Sequence, residues 1–210
     1  MMTDTRTRTA LRILLGRVRR LDPDALVRLR PDTAGGRFWA LLPFGVLATK
    51  ELPITVPEDI TVKASDLYER TGGPIPMEPT RGLPRHDGQW RGGTLPDPTA
   101  PIIERIAAHE CHRIGDDAAA ALRTAQRQAV QQQRSVGERK LRDTLLDHVA
   151  LTITVGADRY EVPVRLVVGL LRMGFAPEGE VRVRRSGRRL GLEGVHGAVW
   201  AAGGGLPLLM

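Results

Sequence analysis

The sequence predicts an α+β fold, with antiparallel strands and hairpins, an N-terminal helix and a helical middle segment. Two observations support this: apolar residues recur with helical periodicity near the N-terminus and in the middle of the chain, and short alternating segments bounded by turn residues occupy much of the rest. With 210 residues and 41% hydrophobic content, the chain can bury a core in one large domain or two small ones.

Residues 1–71 are expected to hold the N-terminal helix and a set of antiparallel strands. Apolar residues at the spacing of one helical face predict a helix over residues 9–21: Leu11, Leu14, Leu15 and Val18. Packing on the core, membrane binding and partner docking are the roles open to that helix, and core packing is favoured. Strands are predicted at 25–30, along the apolar run 38–49 and at 59–63, before a brief helix capped by Ser65. Pro43 is expected to kink the apolar run or to lie at a sheet edge.

Residues 72–101 alternate prolines with glycines, which indicates a linker or an ordered loop. Residues 102–202 are expected to form a helical segment followed by a unit of two hairpins. We predict a helix over 102–134 with Gly115 as a candidate break, another over 138–148, a hairpin over 149–164, a helix over 164–175 and a hairpin over 181–192. Residues 203–210 predict a flexible apolar tail.

The charge balance favours acidic partners. Thirty-one basic residues face 24 acidic ones, and the net charge is +7. Only Lys50, Lys63 and Lys140 are lysines, so 28 of the basic residues are arginines. A surplus of this size is expected for a nucleic-acid-binding protein, although a GC-rich genome also produces it.

Several classes of protein are excluded by what the sequence lacks. It has no run of about 18 apolar residues and no uninterrupted apolar leader, so we expect a cytoplasmic protein without membrane association. The lone Cys111 excludes a disulfide framework. Nucleophile-elbow, dinucleotide-binding and phosphate-loop motifs are absent, which predicts a non-catalytic protein without a cofactor.

The segment His109-Glu110-Cys111-His112 is the place to look for a metal site. On a helix whose buried face is set by Ile103, Ile106 and Ile114, the two histidines lie opposite Cys111, so the four side chains cannot converge on one ion. We therefore predict no metal site. A metal-dependent enzyme that uses His109 and His112 as ligands is kept as the third alternative for the function.

The strongest local signal is a basic C-terminal hairpin. Alternation places the valines of this segment on one face and its arginines on the other. The preceding helix is apolar apart from one stripe with two further arginines. The predicted nucleic-acid-binding residues are Arg165, Arg172, Arg182, Arg184, Arg185, Arg188 and Arg189.

These residues predict sequence-independent contact with the phosphates of DNA or RNA, because the helix lacks the polar side chains that read bases. The alternative is a protein–protein adaptor or assembly factor that binds another protein through its amphipathic helices or the apolar tail. The oligomeric state is left open by the sequence.

Several segments resemble a group of uncharacterised proteins from GC-rich actinobacteria. The resemblance rests on Leu21-Asp22-Pro23, residues 25–30, Trp39 with residues 42–47, residues 141–149 and residues 171–175. These are mainly packing motifs. The resemblance therefore implies an intracellular protein and no particular activity.

Overall fold

The computed structural model describes residues 5–33, 35–73, 78–131 and 138–203. Its helices are α1 (Thr5–Leu21), α2 (Ala64–Arg70), α3 (Ala108–Gln131), α4 (Glu138–Asp147) and α5 (Val164–Arg172). Its strands are β1 (Leu26–Asp32), β2 (Gly35–Leu42), β3 (Val46–Leu52), β4 (Ile60–Lys63), β5 (Ile102–Ala107), β6 (Val149–Val155), β7 (Asp158–Pro163), β8 (Glu180–Ser186), β9 (Arg189–Gly194) and β10 (Gly197–Ala201). The α+β prediction is confirmed.

The described residues divide into two compact units. The first runs up to Pro96 and includes the residues from Gly197 onward, and the second is Asp97–His196. In the first unit the strands follow the order β4-β1-β2-β3-β10, with antiparallel neighbours, and α1 packs against α2.

The apolar face of α1 supplies much of the core of the first unit. Leu11, Leu14, Leu15 and Val18 are each at most 3% exposed, as the helical spacing predicted. The helix begins at Thr5, one turn earlier than expected, and ends before Pro23, where Asp22 disfavours further helix. Core packing, the role favoured from the sequence, is what this face performs.

The predicted single strand over 38–49 is wrong, because the chain reverses within it. β2 and β3 form a hairpin whose turn contains Pro43 and Gly45. Gly45 has a φ of 74°, and its N–H donates to the Leu42 carbonyl. A non-glycine residue is strained at that φ, so Gly45 permits the tight turn that the apolar run concealed.

In the second unit, β9, β8 and β5 lie side by side, β6 pairs with β7, and α3 packs against α5. Residues 102–107, predicted as helix, form the strand β5 instead because they pair with β8. Gly115 does not break α3. A Cβ at Gly115 would lie 2.5 Å from Leu171 Cδ1, so this glycine allows α3 and α5 to approach closely.

Other predictions need smaller adjustments. The hairpins over 149–164 and 181–192 are present as β6–β7 and β8–β9. Ser65 lies inside α2, and the residue before the helix, Lys63, makes no side-chain capping bond. β10 was not predicted, and residues 74–77 and 204–210 of the predicted loop and tail lie outside the described residues. No helix in the described part of the chain is long and apolar enough to span a bilayer.

Candidate nucleic-acid interface

The solvent side of α1 is strongly cationic. Six of its 17 residues are arginines and none is acidic: Arg6, Arg8, Arg12, Arg17, Arg19 and Arg20. Because the apolar stripe of α1 faces the core, the arginines are left half-buried or exposed along the remaining faces. The side of α1 that does not pack on the core therefore presents only positive charge.

An open cavity of about 1150 Å³ lies along α1 and extends to α2. Its lining includes five arginines and Tyr68, with no acidic side chain among the described lining residues. We call this surface the cationic groove and define it by Arg8, Arg12, Arg17, Arg19, Arg20 and Tyr68. Asp66 and Glu69 of α2 lie outside it.

Tyr68 of α2 orders two of the groove arginines. The guanidinium carbons of Arg12 and Arg19 lie 4.2 Å and 4.5 Å from the centroid of the Tyr68 ring. A Cβ at Gly16 would be 3.6 Å from Tyr68 Cε2, so the ring passes close to the backbone of α1 there. Both cation–π contacts fall within the roughly 6 Å range of this interaction, so one ring holds two positive charges of the groove.

Two groove arginines also contact the segment that follows α2. Arg8 Nη1 donates to the Gly73 carbonyl at 3.3 Å, and Arg12 Nη1 donates to Thr71 Oγ1 at 3.1 Å. A guanidinium carries five N–H groups in a planar fork, so one such bond leaves donors for an anion. These contacts hold the side chains in place without neutralising their charge.

Lys50 of β3 is a further positive charge near Arg17 of α1. Its pKa lies below the ordinary lysine value, because burial disfavours the charged ammonium and Arg17 repels it. Like charges held together in this way are stabilised when an anion binds between or beside them. The local charge distribution therefore suits a polyanion.

The predicted basic hairpin carries carboxylates among its arginines. Arg184 has only 15% of its side chain exposed, and its Nε lies 2.5 Å from the Glu193 carboxylate while Nη1 donates to the Ala100 carbonyl. Arg182 also faces Glu193, at 4.0 Å, and Glu180, at 3.9 Å. Arg184 thus holds the hairpin to the chain before β5, and Glu193 balances part of the charge.

The remaining hairpin arginines lie toward its turn. Arg185 stacks on Tyr160 of β7, 4.9 Å from the ring centroid, and donates to the Tyr160 hydroxyl at 2.7 Å. Arg188 is exposed in the turn, and Arg189 is half-buried at the start of β9. These three are the hairpin residues best placed to meet an anion.

The two arginines predicted on α5 differ in their surroundings. Arg165 is ion-paired with Asp147 at the end of α4 and has 23% of its side chain exposed. Arg172 is exposed in the last turn of α5. Asp147 therefore balances the charge of Arg165, whereas Arg172 presents its guanidinium to solvent.

The histidine segment lies at the start of α3. His109 is exposed, and His112 Nε2 is hydrogen-bonded to the Ala176 carbonyl at 2.9 Å. Cys111 is buried on the opposite side, and burial raises the pKa of its thiol to about 11. Across the described residues, no three His, Cys, Asp or Glu side chains come together as metal ligands.

The groove itself was not found from the sequence. The arginines of α1 were visible in the sequence, but the groove also needs Tyr68 of α2, which lies far from α1 in sequence and packs against it in the fold. The available signal was the stretch from residue 5 to residue 21, which holds six arginines and no acid.

Each half of the chain matches a domain of unknown function. Residues 1–92 match the domain of unknown function DUF8010, and residues 106–206 match the domain of unknown function DUF8185. No curated protein matches the chain at a significant level.

Solved structures show a clearer likeness. The DNA polymerase III subunit beta of Pseudomonas aeruginosa is similar over 93% of this chain and 62% of its own, with a TM-score of 0.57 and 15% identity. The sliding clamp of Bartonella birtlesii is similar over 92% of this chain and 62% of its own, with a TM-score of 0.54 and 15% identity. The sliding clamp of Caulobacter crescentus is similar over 95% of this chain and 65% of its own, with a TM-score of 0.55 and 17% identity. The fold resembles that of sliding clamps. The chain spans less than two thirds of the length of each.

Proposed function

We propose that this protein is a non-catalytic DNA-binding protein that contacts the phosphates of duplex DNA, without sequence preference, through the cationic groove. The observation that carries the proposal is the arrangement of five arginines and Tyr68 along one cavity with no acidic residue in its described lining. Phosphate contacts from arginines supply affinity without sequence information.

The shape of the surface supports a backbone ligand. Arg8 and Arg20 are 12 residues apart on α1, which corresponds to about 18 Å along a helix. Phosphates of one DNA strand recur at intervals of several ångströms, so a row of guanidinium groups of this length can meet several of them at once. The few aromatic residues, and the two cations already placed on the Tyr68 ring, favour phosphate contact over base stacking.

The likeness to sliding clamps supports DNA as the nucleic acid. Those proteins are subunits of DNA polymerase III, and the similarity extends over both units of this chain. The likeness concerns the fold, and the charge of the groove is an independent feature of this sequence. Together they favour DNA over RNA.

The basic hairpin is proposed as a second, weaker contact. It retains Arg182, Arg185, Arg188 and Arg189 as candidates, with Arg172 on α5. Arg184 and Arg165 are proposed to stabilise the fold rather than to contact DNA, because Glu193 and Asp147 balance their charge. We expect the hairpin to contribute less than the groove for this reason.

Two variants with equal charge separate these surfaces. The groove variant replaces Arg8, Arg12, Arg19 and Arg20 with Gln. The hairpin variant replaces Arg182, Arg185, Arg188 and Arg189 with Gln. Each lowers the net charge from +7 to +3, so a difference between them reports position rather than overall charge.

The measurement is the dependence of the dissociation constant on salt, by fluorescence anisotropy with duplexes of unrelated sequence. Each phosphate contact contributes about 0.9 to the steepness of the slope of log K against log salt concentration. The groove variant loses four arginines, so its slope should become shallower by about 3.6. The slope of the hairpin variant should become shallower by less than about 1. Equal losses in both variants, or wild-type binding by the groove variant, would refute the groove as the site.

A further inference from the structure

The strand at the edge of the first unit is covered. β4 pairs with β1 on one side, and no strand of the described residues pairs with it on the other. Such an edge normally presents unpaired N–H and C=O groups to solvent. Yet Ile60, Thr61 and Val62 are 6%, 0% and 0% exposed, so another part of the chain must lie over this strand.

That part is the segment from Arg85 to Trp90, which we call the strap. The His86 N–H donates to the Thr61 carbonyl at 2.8 Å, and the Thr61 N–H donates to Asp87 Oδ1 at 2.7 Å. Arg85 Nη2 donates to the Asp59 carbonyl at 3.1 Å. The strap therefore occupies both backbone groups of Thr61 that a further strand would use.

Ion pairs fix the strap at its start. Arg85 contacts Glu58 at 2.5 Å and Asp87 at 2.8 Å. Burial alone would raise the pKa of Asp87, but hydrogen bonds from Arg85 and from the Thr61 N–H outweigh it and lower that pKa. Asp87 is consequently held in the ionised form that accepts both bonds.

A second set of contacts reaches the strap from β1. Arg28 forms a bidentate pair with Asp59, at 2.6 Å and 2.8 Å. Its guanidinium carbon lies 5.9 Å from the centroid of the Trp90 ring. The start of the strap is thus held by Glu58 and Asp59, just before β4, and its end lies against Arg28 of β1.

We propose that the strap blocks β4 from pairing with β4 of a second copy of this chain. β4 is four residues long, its first three residues are buried, and it is antiparallel to its neighbour. Two copies related by a twofold axis could align their β4 strands antiparallel. The carboxylate of Asp87 accepts the Thr61 N–H bond that a carbonyl of the second strand would otherwise accept, so the sheet ends at β4. The inference does not depend on DNA binding.

Thr61 provides a direct test in the full-length protein. Its amide should exchange slowly with deuterium in the wild type, as measured by NMR, and at least about tenfold faster in Asp87→Ala, because a charged hydrogen bond is lost. Asp87→Asn keeps an acceptor oxygen and should retain most of the protection. Arg81→Ala changes a nearby side chain that is 83% exposed and is the neutral control.

The second arm is sedimentation of the Arg85→Ala/Asp87→Ala variant over a range of protein concentration. The variant should self-associate more strongly than the wild type, and protection of Thr61 should return in the associated form. Amides of the β1–β2 pairing report whether the unit stays folded. A fast-exchanging Thr61 in the wild type, unchanged exchange in Asp87→Ala, or a variant that does not self-associate while Thr61 is unprotected would each overturn the proposal.

Discussion

Replacing Tyr68 tests whether its ring orders the groove. Tyr68→Ala removes two cation–π contacts, each contributing about 0.5–1 kcal/mol at a partly exposed site, so the free energy of unfolding should fall by about 1–2 kcal/mol. Arg12 and Arg19 then become mobile, and ordering each again on binding costs about 0.5–1.5 kcal/mol. Affinity for duplex DNA should therefore weaken by about tenfold.

The matched control is Tyr68→Phe, which keeps the ring over which both guanidinium groups lie. It should match the wild type in both urea denaturation and fluorescence anisotropy. The reasoning fails if Tyr68→Phe weakens binding as much as Tyr68→Ala, because the hydroxyl and not the ring would then matter. It also fails if Tyr68→Ala binds DNA as the wild type does.

Three further outcomes are expected. Gly194→Ala should cost about 1–3 kcal/mol in urea denaturation, because its Cβ would lie 2.3 Å from the Phe175 carbonyl oxygen, whereas Gly73→Ala meets nothing within 4 Å and should be neutral. Lys50→Met should raise the melting temperature at pH 7, because the lowered pKa of Lys50 means that folding disfavours its charged form. The gain in melting temperature should shrink toward pH about 10, where the lysine of the wild type deprotonates. A lower melting temperature of the variant at pH 7 would contradict this. Asp87→Asn should lose stability at neutral pH, because the lowered pKa of the Asp87 carboxyl means that folding favours its ionised form. The difference from the wild type should shrink progressively as the pH falls below the ordinary carboxyl value of about 3.9, since that stability is lost as the pH falls through the lowered pKa. A difference that does not change with pH would show another cause.

The sequence predicted elements whose patterns are local. The apolar stripe of α1 and the alternation of β8, with Val181 and Val183 buried, are each visible within a few residues. β5 was missed because its strand conformation depends on pairing with β8, far along the chain. β10 was missed for the same reason, since Gly197–Ala201 is short and its partner in the first unit is β3.

The site was harder to predict than the fold. The hairpin drew attention because five arginines lie close in sequence, but sequence could not show that Arg184 is largely buried against Glu193. The groove arginines lie on a helix that looked like an ordinary core-packing element. Their significance depends on Tyr68, which only the packing of α1 against α2 brings to them.

The central claim is that phosphates bind in the cationic groove, and arginine side-chain NMR tests it most directly. Titration of the labelled protein with a short duplex should shift the Nε–Hε signals of the groove arginines: Arg8, Arg12, Arg17, Arg19 and Arg20. The hairpin signals should move less at the same duplex concentration. Shifts confined to Arg182, Arg185, Arg188 and Arg189, with the groove signals unchanged, would contradict the account.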